Sequence, residues 1–155
     1  MSDLYDNDVL LWSRHQADLL RRRAAGEPIN EAELDWPNIA EEIDSLGKTV
    51  ARELSNRILT ILIHLMKLAA SPAIEPRIGW LETIREQRER IEGLLKDAPS
   101  LRPTVPAITG EKLPAARKRV RAALADYGEQ PRADIDGLVF TGDQVLEDWF
   151  PRQPG

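Results

Sequence analysis

Apolar residues recur at spacings of three and four along most of the chain, which is the pattern of amphipathic helices. The first predicted helix runs from about residue 7 to residue 23, with Asp6 as its N-cap. A second helix is predicted after Asp35, with Pro37 in its first turn, where a missing N–H costs little. The apolar face of the first helix consists of Val9, Trp12, Gln16, Leu19 and Leu20, and that of the second of Ile39, Ile43 and Leu46.

The stretch from about residue 48 to residue 70 is apolar almost all round, which predicts the central helix of the fold. Gly47 either ends the preceding helix or lets the two continue as one helix of about 50 Å, at about 1.5 Å per residue. The wide apolar face consists of Val50, Leu54, Ile58, Ile61, Leu62, Leu65 and Leu68, with Leu59, Ile63 and Met66 beside it.

Proline positions divide the rest of the chain. Pro76 opens a predicted helix that ends near Asp97 and carries Trp80 on its core face. Three prolines then forbid a continuous helix, so we expect residues 98–113 to be irregular and the next long helix to span residues 114–127. These prolines are Pro99, Pro103 and Pro106.

A short last helix is predicted from the capping-box spacing of Thr141 and Gln144, and it should end before Pro151. The apolar residues 138–140 would form an isolated strand without a partner. The predicted fold is therefore all-α. We expect a single-domain, up-and-down-like bundle over residues 1–155, with four to five main helices and a short C-terminal helix.

Composition narrows the function classes. The 155 residues include no cysteine, which excludes disulfides and thiolate metal sites and fits a reducing, cytoplasmic location. The longest apolar run, from Ile58 to Leu68, is interrupted by polar residues and is too short to span a membrane. The formal net charge of −5 argues against nucleic-acid binding, although Arg117 to Arg121 form a basic cluster.

His64 is the most informative polar residue, because it shares a helix face with Arg57 and Lys67 in an otherwise apolar stretch. One interpretation is a polar cleft that binds a small ligand or supports catalysis. The other is a solvated stripe, or a histidine satisfied by a nearby carboxylate. The full candidate cluster consists of Glu41, Glu42, Arg57, His64, Gln87 and Arg88.

A metal centre is not predicted. Carboxylate-bridged helical bundles carry Glu-x-x-His motifs on facing helices. Neither His15 nor His64 has a glutamate three residues before it. The sequence also has no glycine-rich phosphate loop and no nucleophile elbow, so no cofactor and no catalytic residue is predicted.

Several segments, taken in order, resemble a known family. The most specific are NIAEEIDSLG at residues 38–47, LxHLxK at residues 62–67 and WxxTIxxQRxxIxxLL at residues 80–95. Together they resemble the domain-of-unknown-function family 29. The resemblance implies a mainly helical bacterial domain and supplies neither an activity nor catalytic residues.

The leading functional hypothesis is a non-enzymatic protein-interaction module, acting as a homodimer or as the small partner of another protein. An acidic, cysteine-free bundle with Trp36 and Trp149 at helix ends motivates it, since amphipathic rings at such places suit contacts between chains. The alternative is a small-ligand binder or enzyme that uses Glu42, His64 and Arg88 in a cleft.

Overall fold

The computed structural model describes residues 2–152, apart from the side chain of Ser2. This part of the chain contains α-helices and short 3₁₀ turns and no strand, which confirms the predicted all-α class. The helices are α1 (Ser2–Asn7), α2 (Val9–Ala24), α3 (Trp36–Ala70), α4 (Arg77–Asp97), α5 (Val105–Asp126) and α6 (Gly142–Leu146). Helix α3 runs through Gly47 without a break.

The chain divides into two compact units, Met1–Thr49 and Val50–Gly155. We call them the first and the second unit and describe each by itself. The predicted organisation as a single domain stays a prediction.

The first unit is built around the indole of Trp12, which is only 3% exposed. Its Nε1 donates a hydrogen bond to Asp35 Oδ2 (3.0 Å), and the same oxygen accepts one from Asn38 Nδ2 (2.8 Å) at the start of α3. The buried Gln16 donates to the Glu33 carbonyl (3.0 Å) and accepts from the Asp35 amide (2.8 Å). These bonds join α2 to the segment that leads into α3.

The predicted start of the first helix was wrong. Helix α2 is capped by Asp8, not by Asp6, and the Asp8 carboxylate accepts from the Leu11 amide (2.9 Å). An additional short helix, α1, precedes this cap. Val9, which the periodicity assigned to the apolar face of the first helix, has a side chain that is 53% exposed.

The core of the second unit is formed around the later part of α3, as predicted. Leu54, Ile58, Ile61, Leu62 and Leu65 have no exposed surface. Val50 and Ile63 are only half-buried. Buried partners come from the other helices of this unit: Ile84, Ile91 and Leu95 from α4, Val105, Leu113, Ala116, Val120 and Leu124 from α5, and Val145 from α6.

Helix α5 corrects the sequence prediction for residues 98–113. A 3₁₀ turn, Pro99–Thr104, is followed directly by α5, which begins at Val105 instead of residue 114. Pro106 lies in the first turn, where its missing N–H leaves no helical bond unmade, and Pro114 lies inside the helix. Burial of Val105, Thr109 and Leu113 along one face offsets the lost hydrogen bond.

The capping-box prediction for the last helix is confirmed. Thr141 Oγ1 accepts from the Gln144 amide (3.2 Å), and Gln144 Oε1 accepts from the Thr141 amide (2.9 Å). Helix α6 is shorter than predicted and ends at Leu146. Phe140 and Trp149 then pack on each other with ring centroids 6.0 Å apart.

Candidate functional site

Two members of the candidate cluster, Arg57 and Gln87, are in contact. Arg57 Nη1 donates to Gln87 Oε1 (3.0 Å), which links α3 to α4. Arg57 also pairs with Glu53 one turn earlier, through Nε (3.0 Å) and Nη2 (2.7 Å). The guanidinium is therefore engaged by a carboxylate and an amide of its own unit.

His64 is half-buried, and its ring bonds to the backbone. Nδ1 lies 2.8 Å from the Thr60 carbonyl, which can only accept, so Nδ1 carries the proton. Burial lowers the pKa of His64 below 6.5, the nearby Lys67 charge lowers it further, and the Thr60 carbonyl opposes both. The imidazole is consequently neutral at pH 7.

The carboxylates of the candidate cluster belong to the first unit. Tyr5 Oη donates to Glu42 Oε1 (2.6 Å), which ties α1 to α3. This bond raises the pKa of Tyr5 to about 12, and the negative charges of Glu42 and Glu41 add to the effect. Glu41 itself is exposed.

Arg88 holds the segment that contains α6. Nε donates to the Val145 carbonyl (2.8 Å), and Nη2 donates to the Gln144 (2.8 Å) and Trp149 (2.7 Å) carbonyls. The Phe150 ring lies over the guanidinium, 4.8 Å from Cζ. Burial lowers the pKa of Arg88 from its usual value. The Arg88 guanidinium therefore has a structural role that the sequence did not indicate.

The basic run in α5 is also partly engaged. Arg117 Nη2 donates to the Leu138 carbonyl (2.9 Å), and Arg121 forms an ion pair with Asp136. Among residues 2–152, no three histidine or carboxylate side chains come together as metal ligands.

The first unit exposes an apolar stripe on α3, which we define as Trp36, Ile39, Ile43 and Leu46. Ile43 is 69% exposed, Leu46 68% and Trp36 47%, and Ile39 is half-buried. The sequence analysis placed Ile39, Ile43 and Leu46 on one apolar face of this helix, and at Ile43 and Leu46 that face is exposed. The spacing of three, four and three residues is that of a coiled-coil seam.

The second unit contains a cleft of about 490 Å³ where α3 ends, α4 begins and α5 ends. We call it the α3–α5 cleft. Sequence reasoning missed it, because it assigned Trp80 to the core and Lys67 to the polar stripe of His64. The lining residues are Lys67, Ser71, Ala73, Glu75, Pro76, Trp80, Ala123, Leu124, Tyr127 and Glu129.

Arg77 fixes the wall of the α3–α5 cleft. Its side chain is 8% exposed and donates to three carbonyls around the end of α3, those of Leu68 (2.9 Å), Ser71 (2.6 Å) and Ala73 (2.8 Å). The positive charge suits the negative end of the α3 dipole. Burial lowers the pKa of Arg77 from its usual value, and the Arg132 charge lowers it further.

Ser71 joins the end of α3 to Glu129, which follows α5. This buried hydroxyl donates to Glu129 Oε2 (2.8 Å) and accepts from the Ala73 amide (3.1 Å). Gly128, with φ of +64°, reverses the chain after α5 so that the Glu129 amide bonds back to the Leu124 carbonyl (2.9 Å). Glu129 is thus held in place by two independent bonds.

The fold defines the class of this protein as an all-α protein. A similar solved structure is the crystal structure of an alpha-helical protein of unknown function from Rhodospirillum rubrum. The two chains are 24% identical with a TM-score of 0.63, and the match covers 95% of this chain and 91% of that one. The chain belongs to the family described as domain of unknown function DUF29, whose model matches residues 4–150, so the resemblance is confirmed. Among curated proteins, none matches the chain significantly.

The membrane prediction concerns helix length and polarity. Among the described residues, every helix is either too short or too polar to cross a bilayer.

Proposed function

We propose that this protein is a non-enzymatic interaction module that pairs with a second copy of itself through the apolar stripe. The main observation in its support is that the side chains of Ile43 and Leu46, one helical turn apart on α3, are 69% and 68% exposed. Large apolar side chains clustered at heptad spacing on an exposed face are typical of surfaces that bind another helix.

The apolar stripe can pack against the same stripe of a second copy of the chain. In an antiparallel pair of α3 helices with the two-fold axis between residues 44 and 45, Ile43 of one copy lies level with Leu46 of the other. Gly47 lies level with Glu42 of the partner, and a Cβ at Gly47 would meet nothing within 4 Å, so this position allows close approach. The same surface patch then serves both chains, as a two-fold interface requires.

Net charge opposes self-association, so the attraction between two copies would have to be apolar. Each chain carries a formal charge of −5, so two copies repel each other at long range. Screening by salt weakens that repulsion, and we expect self-association to strengthen as salt rises. Binding to a basic partner would weaken over the same range.

The alternative, a ligand-binding or catalytic cleft around Glu42, His64 and Arg88, has less support. The Arg88 guanidinium already serves three backbone carbonyls, and His64 is neutral with its Nδ1 proton directed to Thr60. Glu42 accepts the Tyr5 hydroxyl. Each group therefore has a structural role within its own unit.

Sedimentation equilibrium of the wild-type chain and two matched variants tests the proposal. Ile43→Asp changes the stripe, whereas Ile78→Asp changes an isoleucine on α4 with nearly the same exposure, 70%. Burying the exposed part of Ile43 contributes about 1–2 kcal/mol in each copy, and the two-fold axis counts the loss twice. Ile43→Asp should therefore raise the dimer dissociation constant at least about thirtyfold, with Ile78→Asp unchanged.

A wild-type chain that stays monomeric at 100 μM in both 50 mM and 500 mM salt (on the order of the conditions that reveal micromolar dimers) would sink self-association. Equal weakening by both aspartate variants would show that any dimer uses another surface.

A further inference from the structure

We propose that the α3–α5 cleft binds an organic cation on an apolar stem, meaning a primary ammonium or guanidinium group with a hydrocarbon chain. This chemistry belongs to free amines and to basic side chains of peptides alike. The proposal concerns the second unit alone and holds whether or not the chain pairs through the apolar stripe.

The α3–α5 cleft has a volume and an apolar lining that fit such a hydrocarbon chain. Its volume of about 490 Å³ is within the range of about 300–1,000 Å³ that small-ligand pockets occupy. Leu124, Ala123 and Pro76 provide apolar surface, and Trp80 and Tyr127 provide aromatic walls. Tyr127 is 81% exposed, so its ring face is accessible to a ligand in the cleft.

The lining charges favour a cation. The lining contains two carboxylates, Glu75 and Glu129, and one ammonium, Lys67. The positive charge of Arg77 lies behind the wall and is directed to the carbonyls of Leu68, Ser71 and Ala73. Ser71, which is 1% exposed, holds Oε2 of Glu129 at 2.8 Å, so the carboxylate is oriented before a ligand arrives. A charge-assisted hydrogen bond to such a fixed acceptor costs little ordering entropy.

Trp80 supplies an observation that is independent of the carboxylates. Its ring already attracts two cations of the chain: Lys67 Nζ lies 5.8 Å from the ring centroid and Arg77 Cζ lies 5.9 Å from it. Arg77 is fixed by its carbonyl bonds, whereas Lys67 has a flexible stem. A ligand cation would therefore take the place of Lys67 at the indole face.

Because Lys67 competes with the ligand, removing the charge of Glu129 and removing the charge of Lys67 should change the binding affinity in opposite directions. Loss of Glu129's charge should weaken binding, because it removes the attracting carboxylate. Loss of the Lys67 charge should strengthen binding, because it removes both a competitor and a repelling charge. A cleft that simply needed all its polar groups intact would weaken in both variants.

The test is an NMR titration of the full chain with three probes of five carbon atoms each: n-pentylammonium, 1-pentanol and pentanoate. The indole N–H signal of Trp80, assigned with Trp80→Phe, and the amide of Glu129 report binding. We expect both signals to move with pentylammonium, to move less with pentanol and to stay unchanged with pentanoate. Acetyl-Gly-Lys-Gly-amide and acetyl-Gly-Arg-Gly-amide then distinguish a peptide source from a free amine.

Variants complete the test. Glu129→Gln keeps an oxygen for the Ser71 hydroxyl and should weaken pentylammonium binding about tenfold. Lys67→Gln should tighten it severalfold, and Glu111→Gln, an exposed α5 acid outside the cleft lining, should leave it unchanged. If Glu129→Gln unfolds the chain, Glu75→Gln replaces it with a smaller expected loss.

The proposal is overturned by any of three results: no shift at any probe concentration that the chain tolerates, equal shifts with pentylammonium and pentanoate, or weaker amine binding in Lys67→Gln.

Discussion

Replacing Arg77 by alanine removes the side chain that closes the end of α3. Its guanidinium donates three hydrogen bonds of 2.6–2.9 Å to the carbonyls of Leu68, Ser71 and Ala73, and only 8% of the side chain is exposed. These carbonyls lie in or just after the last turn of α3, where no helical N–H can reach them. Alanine leaves them without this donor.

The magnitude follows from these bonds. A hydrogen bond to a charged group contributes about 1.5–3 kcal/mol, and neighbouring bonds do not add fully. Water can replace part of the loss near the surface. We therefore expect Arg77→Ala to lower the free energy of unfolding by about 3–5 kcal/mol, a large share of the roughly 5–15 kcal/mol of a typical domain.

Arg90→Ala on the same helix is the matched control. Arg90 pairs with Glu86 at 2.8 Å, but both side chains are more than half exposed, and such pairs contribute about 0.3–0.5 kcal/mol. Urea unfolding followed by circular dichroism at 222 nm measures both variants. With a slope of about 1–3 kcal/mol per molar urea, the midpoint of Arg77→Ala should fall by about 1–5 M.

The reasoning is refuted if Arg77→Ala loses no more stability than Arg90→Ala at unchanged slope. If alanine leaves too little folded protein to measure, Arg77→Lys tests the same idea. Lysine keeps the charge but not the three-pronged geometry, so its loss should be intermediate.

Two further predictions concern backbone and pH. Gly47→Ala should raise the free energy of unfolding by about 0.5–1 kcal/mol, because Gly47 is inside α3 with open space for a Cβ. Gly128→Ala should lower the free energy of unfolding by about 1 kcal/mol, because the φ of Gly128 is +64°. Urea midpoints of the two variants that move in the same direction would contradict this. Burial lowers the pKa of His64, so its neutral form contributes stability above pH 6.5 that is lost as pH falls toward the lowered folded value. His64→Gln should accordingly lose less stability than wild type between about pH 7 and pH 5, and parallel pH profiles would refute this.

Local signals predicted most of the helices. The capping box of Thr141 and Gln144 was predictable because both partners lie within four residues. The central position of the later α3 followed from apolar residues on almost every face. These features depend on the segment itself, so no knowledge of distant partners was needed.

The start of α5 was mispredicted because proline was given more weight than periodicity. Val105, Thr109, Leu113, Ala116 and Val120 recur at helical spacing and are all buried, and this signal was already present in the sequence. An interior proline costs about 3 kcal/mol at most positions. A continuous buried face of this length exceeds that cost.

The candidate sites were less accessible to sequence reasoning, since both depend on what covers a residue. Periodicity showed that Ile43 and Leu46 share a face but not that the face is exposed. The link between Arg57 and Gln87 crosses 30 positions, and the cleft joins residues as distant as Lys67 and Glu129. No local pattern encodes such meetings.

The hydrogen bonds of Gln16 determine which substitutions the contacting positions can accept. Its amide group bonds to the main chain of Glu33 and Asp35 and not to the side chains. Position 33 can thus exchange residues freely while the contact survives. Position 16 cannot accept even glutamate, which has no donor for the Glu33 carbonyl. In each such contact, the residue that contributes its side chain tolerates few substitutions, whereas the residue that contributes its backbone tolerates many. The same holds for Arg77 and Arg88, whose side chains also donate to backbone carbonyls.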